Sequence, residues 1–550
     1  MNNEHRYPVG IQTFSEIIRG GYVYVDKTDL VWNLTRLSKY IFLSRPRRFG
    51  KSLLSSTLHS YFAGQKHLFE GLKIMQLEQE WAEYPVIHLD LSIAKSQLSA
   101  AALQARIMLM LDEYAQKYGA DPKEVTPGAM IQGLIRRAYQ QTGKQVAVII
   151  DEYDAPLLEV LHEEENLPHF RKVMQEFYVP LKAMDPYIKF CFITGITKFS
   201  QLSIFSTINN LKNISMRSDF SALCGITEKE VKTVFAEDIR LMGEKHGLTA
   251  EEMFLKIKDM YDGYHFASVS EDIYNPFSLL NALSDGELTS GWFASATPTY
   301  LIHQMQHFRT DITAMDDLEE PSESFDVPTE AMTTALPLLY QSGYLTIKGY
   351  DRDAQMYALS IPNQEVRLGF TKGLLPTYIG LEIGNVQVGF ALKFWRALKK
   401  NDVDLALREM QAYLASISLT PVPSPKGEGN KCIHGTGQAK EVITPLAPWR
   451  GDGGEAALYL IFSMLNVYVR TQVKCAGGRI DMVVLMPDTI YVFELKTNDT
   501  ASNALKQICD KGYAMPYQAD GRRVVKAGIH FNPNTRTIDD WQLEGGVQSL

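Results

Sequence analysis

Cysteine is scarce in this 550-residue chain, and the five present, at positions 191, 224, 432, 475 and 509, form no Cys-x-x-Cys pair. That spacing supports neither a zinc ribbon nor a disulfide framework, and it fits a reducing compartment. Long apolar runs are missing too. Nothing approaches the roughly 20 consecutive apolar residues that span a bilayer, and the opening Met-Asn-Asn-Glu-His-Arg leads into no apolar signal segment. A soluble, cytoplasmic protein with no membrane partner is expected. Positive charge is also short: Lys and Arg number 55 against 64 Asp and Glu, a net charge of -9. That balance argues against wholesale capture of nucleic acid by bulk charge and leaves local basic grooves open.

What is present is the composition of a globular protein, 45% apolar and 22% charged. The length exceeds one hydrophobic core and suggests about three or four domains. The chain is organised around Tyr40-Ile-Phe-Leu-Ser-Arg-Pro-Arg-Arg-Phe-Gly-Lys-Ser52, which reads as a buried strand, a tight loop and the start of a helix, Leu53 to Phe62. Gly50 lets the backbone approach a phosphate, Lys51 supplies a charge for the β- and γ-phosphates, and the Ser52 hydroxyl suits Mg²⁺. The N–H groups of the following helix point at the same anion. Arg45 stands where G-x-x-x-x-G-K-[ST] has its first glycine. Arg48, inside the loop, counts with Gly50, Lys51 and Ser52 among the candidate nucleotide contacts.

A second stretch supports the first. Val146-Ala-Val-Ile-Ile-Asp-Glu152 has five apolar residues in a row, as a parallel strand covered on both faces would, with Asp151-Glu152 at the carboxyl end where open α/β sheets bind ligands. Asp151 would hold Mg²⁺ through water, and Glu152 would orient or deprotonate the attacking water. Pro85 to Leu91 and Ile188 to Thr194 read as two further strands. Thr194, Thr197 or Lys198 would then sense the γ-phosphate.

Tyr24-Val-Asp-Lys-Thr28, in a stretch Tyr22 to Thr28 with the period-two pattern of a strand or strand-like lead-in, followed by Ser44-Arg-Pro-Arg-Arg-Phe-Gly-Lys-Ser52, resembles the bacterial AAA-ATPase-like family. Its members often carry a C-terminal PD-(D/E)XK nuclease-superfamily domain. The likeness extends to the non-glycine at position 45, and to Ser203 to Leu211, Tyr261-Asp-Gly-Tyr-His-Phe266 and Tyr274-Asn-Pro-Phe-Ser278. It implies ATP binding in a cytoplasmic bacterial protein, with a homo-oligomer left open. His265 is either a ligand or, in the favoured reading, a hydrogen-bonded packing histidine, since no second metal ligand stands at a suitable spacing.

Helical spacing marks Ala100 to Tyr118, and Thr227-x-x-Glu230 marks a capping box opening a helical lid. Ser290 to Val366 reads as helical or winged-helix-like with a short strand pair near Gly343–Ile347 and Met356–Ser360. Phe390 to Ile417 reads as a helix pair joined near Asn401 to Asp404. The Pro- and Gly-rich stretch 419–454 lacks periodicity and reads as a disordered linker or insertion.

Further on, Glu455 to Val469 reads as a helix, and Gly478 to Leu485 and Ile490 to Lys496 as two strands. A loop of two or four residues centred on Pro487-Asp488 gives one register and sets Asp481 opposite Glu494. Like charges opposed at about 5 Å are destabilising unless neutralised, and a divalent metal is the natural neutraliser. Glu494 and Lys496 share a strand face. This constellation resembles the PD-(D/E)XK signature, with Ile480 in place of its proline, Glu455 as the helix-borne acid and Gln507 as the trailing glutamine. The resemblance implies that Asp481, Glu494 and Glu455 hold Mg²⁺ or Mn²⁺ and that Lys496 positions the attacking hydroxide on a nucleic acid, DNA rather than RNA. Lys506, Lys511, Arg522 and Arg523 are candidate backbone contacts or a solvated face.

The expected architecture is α/β: a P-loop ATPase domain over 1–220, a helical lid over 221–300, a middle module over 301–418, the linker, and a nuclease-like domain over 455–550. The expected activity is ATP-dependent control of a metal-dependent phosphodiesterase. The rivals are a nucleotide switch whose last domain binds nucleic acid without cutting it, and a remodelling ATPase with an inert tail.

Overall fold

The computed structural model describes residues 5–95, 97–161, 163, 165–198, 210–289, 299–308, 310, 315, 318–329, 332–370, 393–394, 396–416, 468–475, 478–486, 488–518, 520–532, 535 and 537–545. The stretch Ser203 to Leu211 up to residue 209, the linker over 419–454 and Glu455 lie outside them. The chain divides into two units, Met1–Thr310 with Asp317–Val366, and Asp311–Asp316 with Arg367–Leu550.

The first unit is built on five parallel strands: β1 Tyr40–Ser44, β2 Val86–Asp90, β3 Val146–Asp151, β4 Ile188–Gly195 and β5 Lys212–Asn213. They lie in the order β2-β3-β4-β1-β5, so β4 separates the glycine-loop strand from the acidic strand. β1 and β3 are buried along their whole lengths. Each fully buried Val or Ile there contributes roughly 1.5–3 kcal/mol through removal from water. Helices Ala100–Tyr118, Pro127–Thr142 and Asn166–Ala183 supply the apolar residues that cover β2, β3 and β4. Ser99 and Thr126 accept from Ala102 N and Ala129 N, capping the first two helices.

One polar pair in this layer sets an acid limit. His88 on β2 and His59 of the helix Lys51–Phe62 have ring centroids 5.6 Å apart. Burial, and then the proximity of His59, push the His88 imidazole down to about 4. Protonation is therefore favoured in the unfolded chain, and the stability that neutral His88 contributes is complete above about pH 6.5 and is lost as pH falls towards 4. The lost amount is about 3 kcal/mol over that interval. Urea unfolding at pH 7 and pH 4.5 should show it, and His88→Gln should flatten the difference.

The region after the sheet is helical as expected, with Glu228–Val234, Ala236–Lys245, Ala250–Tyr261 and Pro276–Asp285 around their own apolar core. β6 Ile226–Thr227 pairs antiparallel with β7 Ile273–Tyr274. The capping box at Thr227 and Glu230 is present, and Glu230 also takes Lys27 Nζ at 2.6 Å. The expected strand pair is there as β9 Thr346–Asp351 and β10 Met356–Ser360. A third strand, β8 Leu318–Glu320, extends it in the order β8-β10-β9.

Residues 22–27 depart from expectation. They carry no regular secondary structure and pair in no sheet, and Thr28 opens a helix to Leu37. The polar half of the segment explains this: Asp26 accepts from Thr28 N, Thr28 Oγ1 and Lys73 N. Those contacts make it a clip between two parts of the chain.

The second unit carries β11 Tyr468–Cys475, β12 Gly478–Leu485, β13 Thr489–Lys496, β14 Arg523–Asn532 and β15 Thr537–Glu544, joined in that order. Only β13 and β14 are parallel. The expected helix to Val469 is corrected at its end: Tyr468 and Val469 begin β11, because Val469, Thr471 and Val473 alternate with polar residues at the period of a strand. Helix Val403–Ser416 belongs to this unit, with Gln411 bonded to Ile538 O at 2.8 Å. Helix Ala501–Asp510, capped by Thr500, lies on β14. A Cβ on Gly528 would sit 2.3 Å from Leu505 N, so this close approach requires glycine. Among the described residues no helix is long and apolar enough to cross a membrane.

Candidate nucleotide and metal sites

β1 delivers the chain into the loop Arg45 to Gly50, and a helix starts at Lys51. Arg48 and Gly50 both take the left-handed conformation, with φ of 68° and 92°. Successive N–H groups bent this way form an anion-binding nest. The space beside Gly50 is open: no heavy atom lies within 4 Å of a built Cβ. Lys51 is buried, its Nζ 3.2 Å from Pro46 O and 3.5 Å from Glu152 Oε1. The Ser52 hydroxyl stands near enough to the Asp151 carboxylate to favour its ionised form. The loop, the acidic strand end, Lys51 and Ser52 therefore meet at one point.

The acids there are unequal. Burial, then Glu152, push the Asp151 carboxyl up to about 7, against the pull of Lys51 and Ser52. Burial presses Glu152 the same way, yet Lys51, Lys95 and Arg47 hold it below the ordinary carboxylate range. Glu152 is a non-glycine residue at φ 49°, a conformation that costs about 1–3 kcal/mol and persists where the surroundings impose it.

Three expected phosphate sensors are engaged inside the chain. The Thr194 hydroxyl donates to Leu43 O at 2.7 Å, across the β1–β4 pairing. Thr197 donates to Asp154. The Lys198 ammonium pairs with Asp326, its N–H donates to Gln341 Oε1 at 2.8 Å and its carbonyl accepts from Thr329 N. Thr194 thus directs its proton into the sheet.

Arg45 and Arg48 of the loop lie against aromatic rings. Arg45 is 2% exposed, donates to Ser44 O, Ser215 O and Phe220 O, and stacks 4.2 Å from the Phe266 ring. Arg48 lies 3.8 Å over the Phe277 ring. Phe49 packs edge-on against Tyr264 and Phe266. The two aromatic turns singled out in the sequence hold the glycine loop in place. His265 bonds Asp272 through Nδ1 and Thr346 through its backbone.

In the second unit the antiparallel pairs run from Leu485–Ile490 to Met482–Phe493, which brings Asp481 and Glu494 to the positions next along their strands. Asp481 Oδ2 accepts from Leu495 N at 2.8 Å. Glu494 is 1% exposed, its Oε1 takes Lys496 Nζ at 3.0 Å and also Gln507 Nε2, and its Oε2 is buried with no hydrogen-bond partner among the described residues. Burial, then Asp481, push the Glu494 carboxyl up to about 7. Burial presses Lys496 down, but Glu494 and Asp481 more than offset it. A buried carboxylate oxygen with nothing to accept from, beside a second carboxylate, fits a divalent cation. Glu455 lies outside the described residues, and among those described no cluster of three or more His, Cys, Asp and Glu stands ready for a metal.

Comparison with known proteins follows the same division. A family model described as "Predicted AAA-ATPase" matches residues 8–205, and one for the PD-(D/E)XK nuclease superfamily matches 455–541. A relative from Azotobacter chroococcum mcd 1, "Uncharacterized protein in vnfD 5'region", is 34% identical over 553 residues, covering 98% of this chain and 99% of its own. The chain belongs to the AAA-ATPase-like family with a C-terminal PD-(D/E)XK nuclease-superfamily domain. In this AAA-ATPase-like protein the order β2-β3-β4-β1-β5 is the frame that brings Lys51 to Asp151.

Two residues of the AAA-ATPase-like protein stand at its sites without having been picked out in the sequence. Asp154 is fully buried and accepts from Ile196 N, Thr197 N and Thr197 Oγ1, tying the end of β3 to the turn after β4. Tyr513 accepts from Gln507 Nε2 at 3.3 Å and so joins the Glu494 cluster. The run Asp151-Glu-Tyr-Asp154 was the available signal for the first. Of the candidate nucleic-acid contacts, Arg522 is held by Asp520 and Met486 O, and Arg523 by Gly545 O.

Proposed function

We propose that the protein binds and hydrolyses ATP in its first unit and uses that cycle to control a metal-dependent nucleic-acid phosphodiesterase in its second, with DNA as the favoured substrate. The observation that carries the reading is the meeting of Lys51, Ser52, Asp151 and Glu152 beside an open left-handed loop. Such a cluster of charge suits a triphosphate with Mg²⁺. Lys51 would leave Glu152 for the β- and γ-phosphates, Ser52 and Asp151 would hold Mg²⁺, and Glu152 would orient the attacking water. Thr194 is left out of the phosphate contacts, since its proton is given to Leu43 O.

For the second unit we assign Asp481 and Glu494 to a divalent ion, Mg²⁺ or Mn²⁺. Bound there, the ion would polarise the scissile phosphate and neutralise charge in the displacement. Lys496 would position the attacking hydroxide, and Gln507 would fix the Glu494 carboxylate. The test is cleavage of single- and double-stranded DNA and RNA by the full chain, with Mg²⁺ or Mn²⁺, with and without ATP. The expected result is divalent-dependent cleavage, strongest on DNA, whose rate changes several-fold with ATP. A rate indifferent to ATP removes the control, and no cleavage of any substrate removes the phosphodiesterase.

A further inference from the structure

The carboxyl end of β14 carries side chains that these roles leave unused. In the parallel β13–β14 pairing Glu494 stands beside Gly528 and Lys496 beside His530. Residues two apart on a strand share a face, and neighbouring strands in a sheet lie about 4.8 Å apart. The face is the one under the helix Ala501–Asp510, since that helix crowds Gly528 and its Gln507 bonds Glu494. His530 is therefore the next side chain across the sheet from Lys496, on the side of Glu494.

Its ring is fixed from one edge. The β14–β15 register steps from His530–Asp540 to Phe531–Ile538, leaving Asp539 as one extra residue on β15. Bulges of this kind re-aim a side chain. Here one Asp539 oxygen takes His530 Nδ1 and the other takes Asn532 Nδ2 at 2.8 Å. Asp539 is held below the ordinary carboxylate range: burial raises it, but the bonds from Asn532 and His530 more than offset this. An ionised carboxylate only accepts, so Nδ1 carries the hydrogen, and the neutral ring then offers Nε2 as a bare lone pair. Nε2 makes no hydrogen bond to a described residue, and the side chain is 25% exposed.

We propose that His530 is a catalytic base of the second site, with Asp539 and Asn532 as positioning residues; this rests on the phosphodiesterase reading above. Nε2 takes a proton from the attacking water as its oxygen bonds to phosphorus. The bond from phosphorus to the leaving sugar oxygen breaks, and that oxygen takes a proton from solvent. No electron is gained or lost overall, and His530 returns its proton to water.

The test uses the full chain, labelled DNA and Mn²⁺. His530→Asn keeps a donor near the place of Nδ1 and removes Nε2. Its kcat should fall by about 10²–10⁴-fold, the usual range for a general base, with KM changed by no more than about threefold. His530→Ala should regain at least about tenfold activity with added imidazole, since the missing group is then supplied from solution. Asp539→Asn should lower kcat with melting temperature unchanged. Undiminished kcat in His530→Asn, or an imidazole-insensitive His530→Ala, overturns the proposal and leaves the phosphodiesterase standing. If the unaltered chain cleaves no nucleic acid, both fall.

Discussion

Lys51→Ala is expected to weaken ATP binding by about a hundredfold or more, since truncating one partner of a buried charge pair costs about 2–5 kcal/mol. Lys51 is buried between Pro46 O and Glu152 Oε1, at the start of the helix that follows the glycine loop. The substitution also removes the charge that holds Glu152 down and moderates Asp151. Both acids should then resist ionising in the empty protein, and Mg²⁺ should bind more weakly. Titration with a fluorescent ATP analogue, with and without Mg²⁺, reads both effects. Lys51→Arg separates charge from shape, because a planar guanidinium does not reproduce a compact ammonium. Equal affinity in Lys51→Ala and the unaltered chain would refute the nucleotide assignment.

The second large effect is at Glu494, and it runs in opposite directions for activity and stability. Glu494→Gln should lower divalent-dependent cleavage by roughly a thousandfold, as loss of several kcal/mol of charge stabilisation by the metal requires. The same variant should melt at a higher temperature than the unaltered chain at pH 8.5 without divalent ions. The sign follows from the raised carboxyl. A carboxyl pushed up to about 7 favours its protonated form in the folded state, so the folded chain loses stability as pH rises through 7. A neutral glutamine carries no such cost and can still accept from Gln507. The difference should narrow as pH falls below 7, close only below about pH 4.5, and shrink when Mn²⁺ is added to the unaltered chain at pH 8.5. A variant that melts lower at pH 8.5 would show Oε2 to be a structural acceptor and not a vacant ligand.

The sheet and both charged clusters were legible because each is written in contiguous or strand-periodic residues. Five apolar residues before Asp151 imply a strand buried on both faces, and the alternation through Glu494 and Lys496 fixes which side chains share a face. The register of β12 on β13, as far as Met482–Phe493, followed from hairpin length alone. What escaped was set by distant partners. The bonds of Asp26 keep residues 22–27 out of a sheet although their pattern suits one. The inward turn of Arg45 depends on carbonyls at Ser215 and Phe220, which no local pattern announces. β8 was invisible because Glu319 and Glu320 are poor strand formers, and its pairing with β10 supplies what propensity does not. The strand β11 was obscured by a preceding stretch with helical spacing.

The grip on Lys198 bears on how this protein can be divided. A cut after the helices that follow the sheet, near residue 300, would follow the boundaries that the sequence suggests. It would also strip Asp326, Thr329 and Gln341 from Lys198, leaving a buried ammonium without its counter-ion and two backbone groups without partners, a loss of about 3–5 kcal/mol from the ion pair alone. The shortest fragment that can be purified in folded form should therefore run on through Val366, and shorter ones should be insoluble or protease-sensitive at the turn after β4.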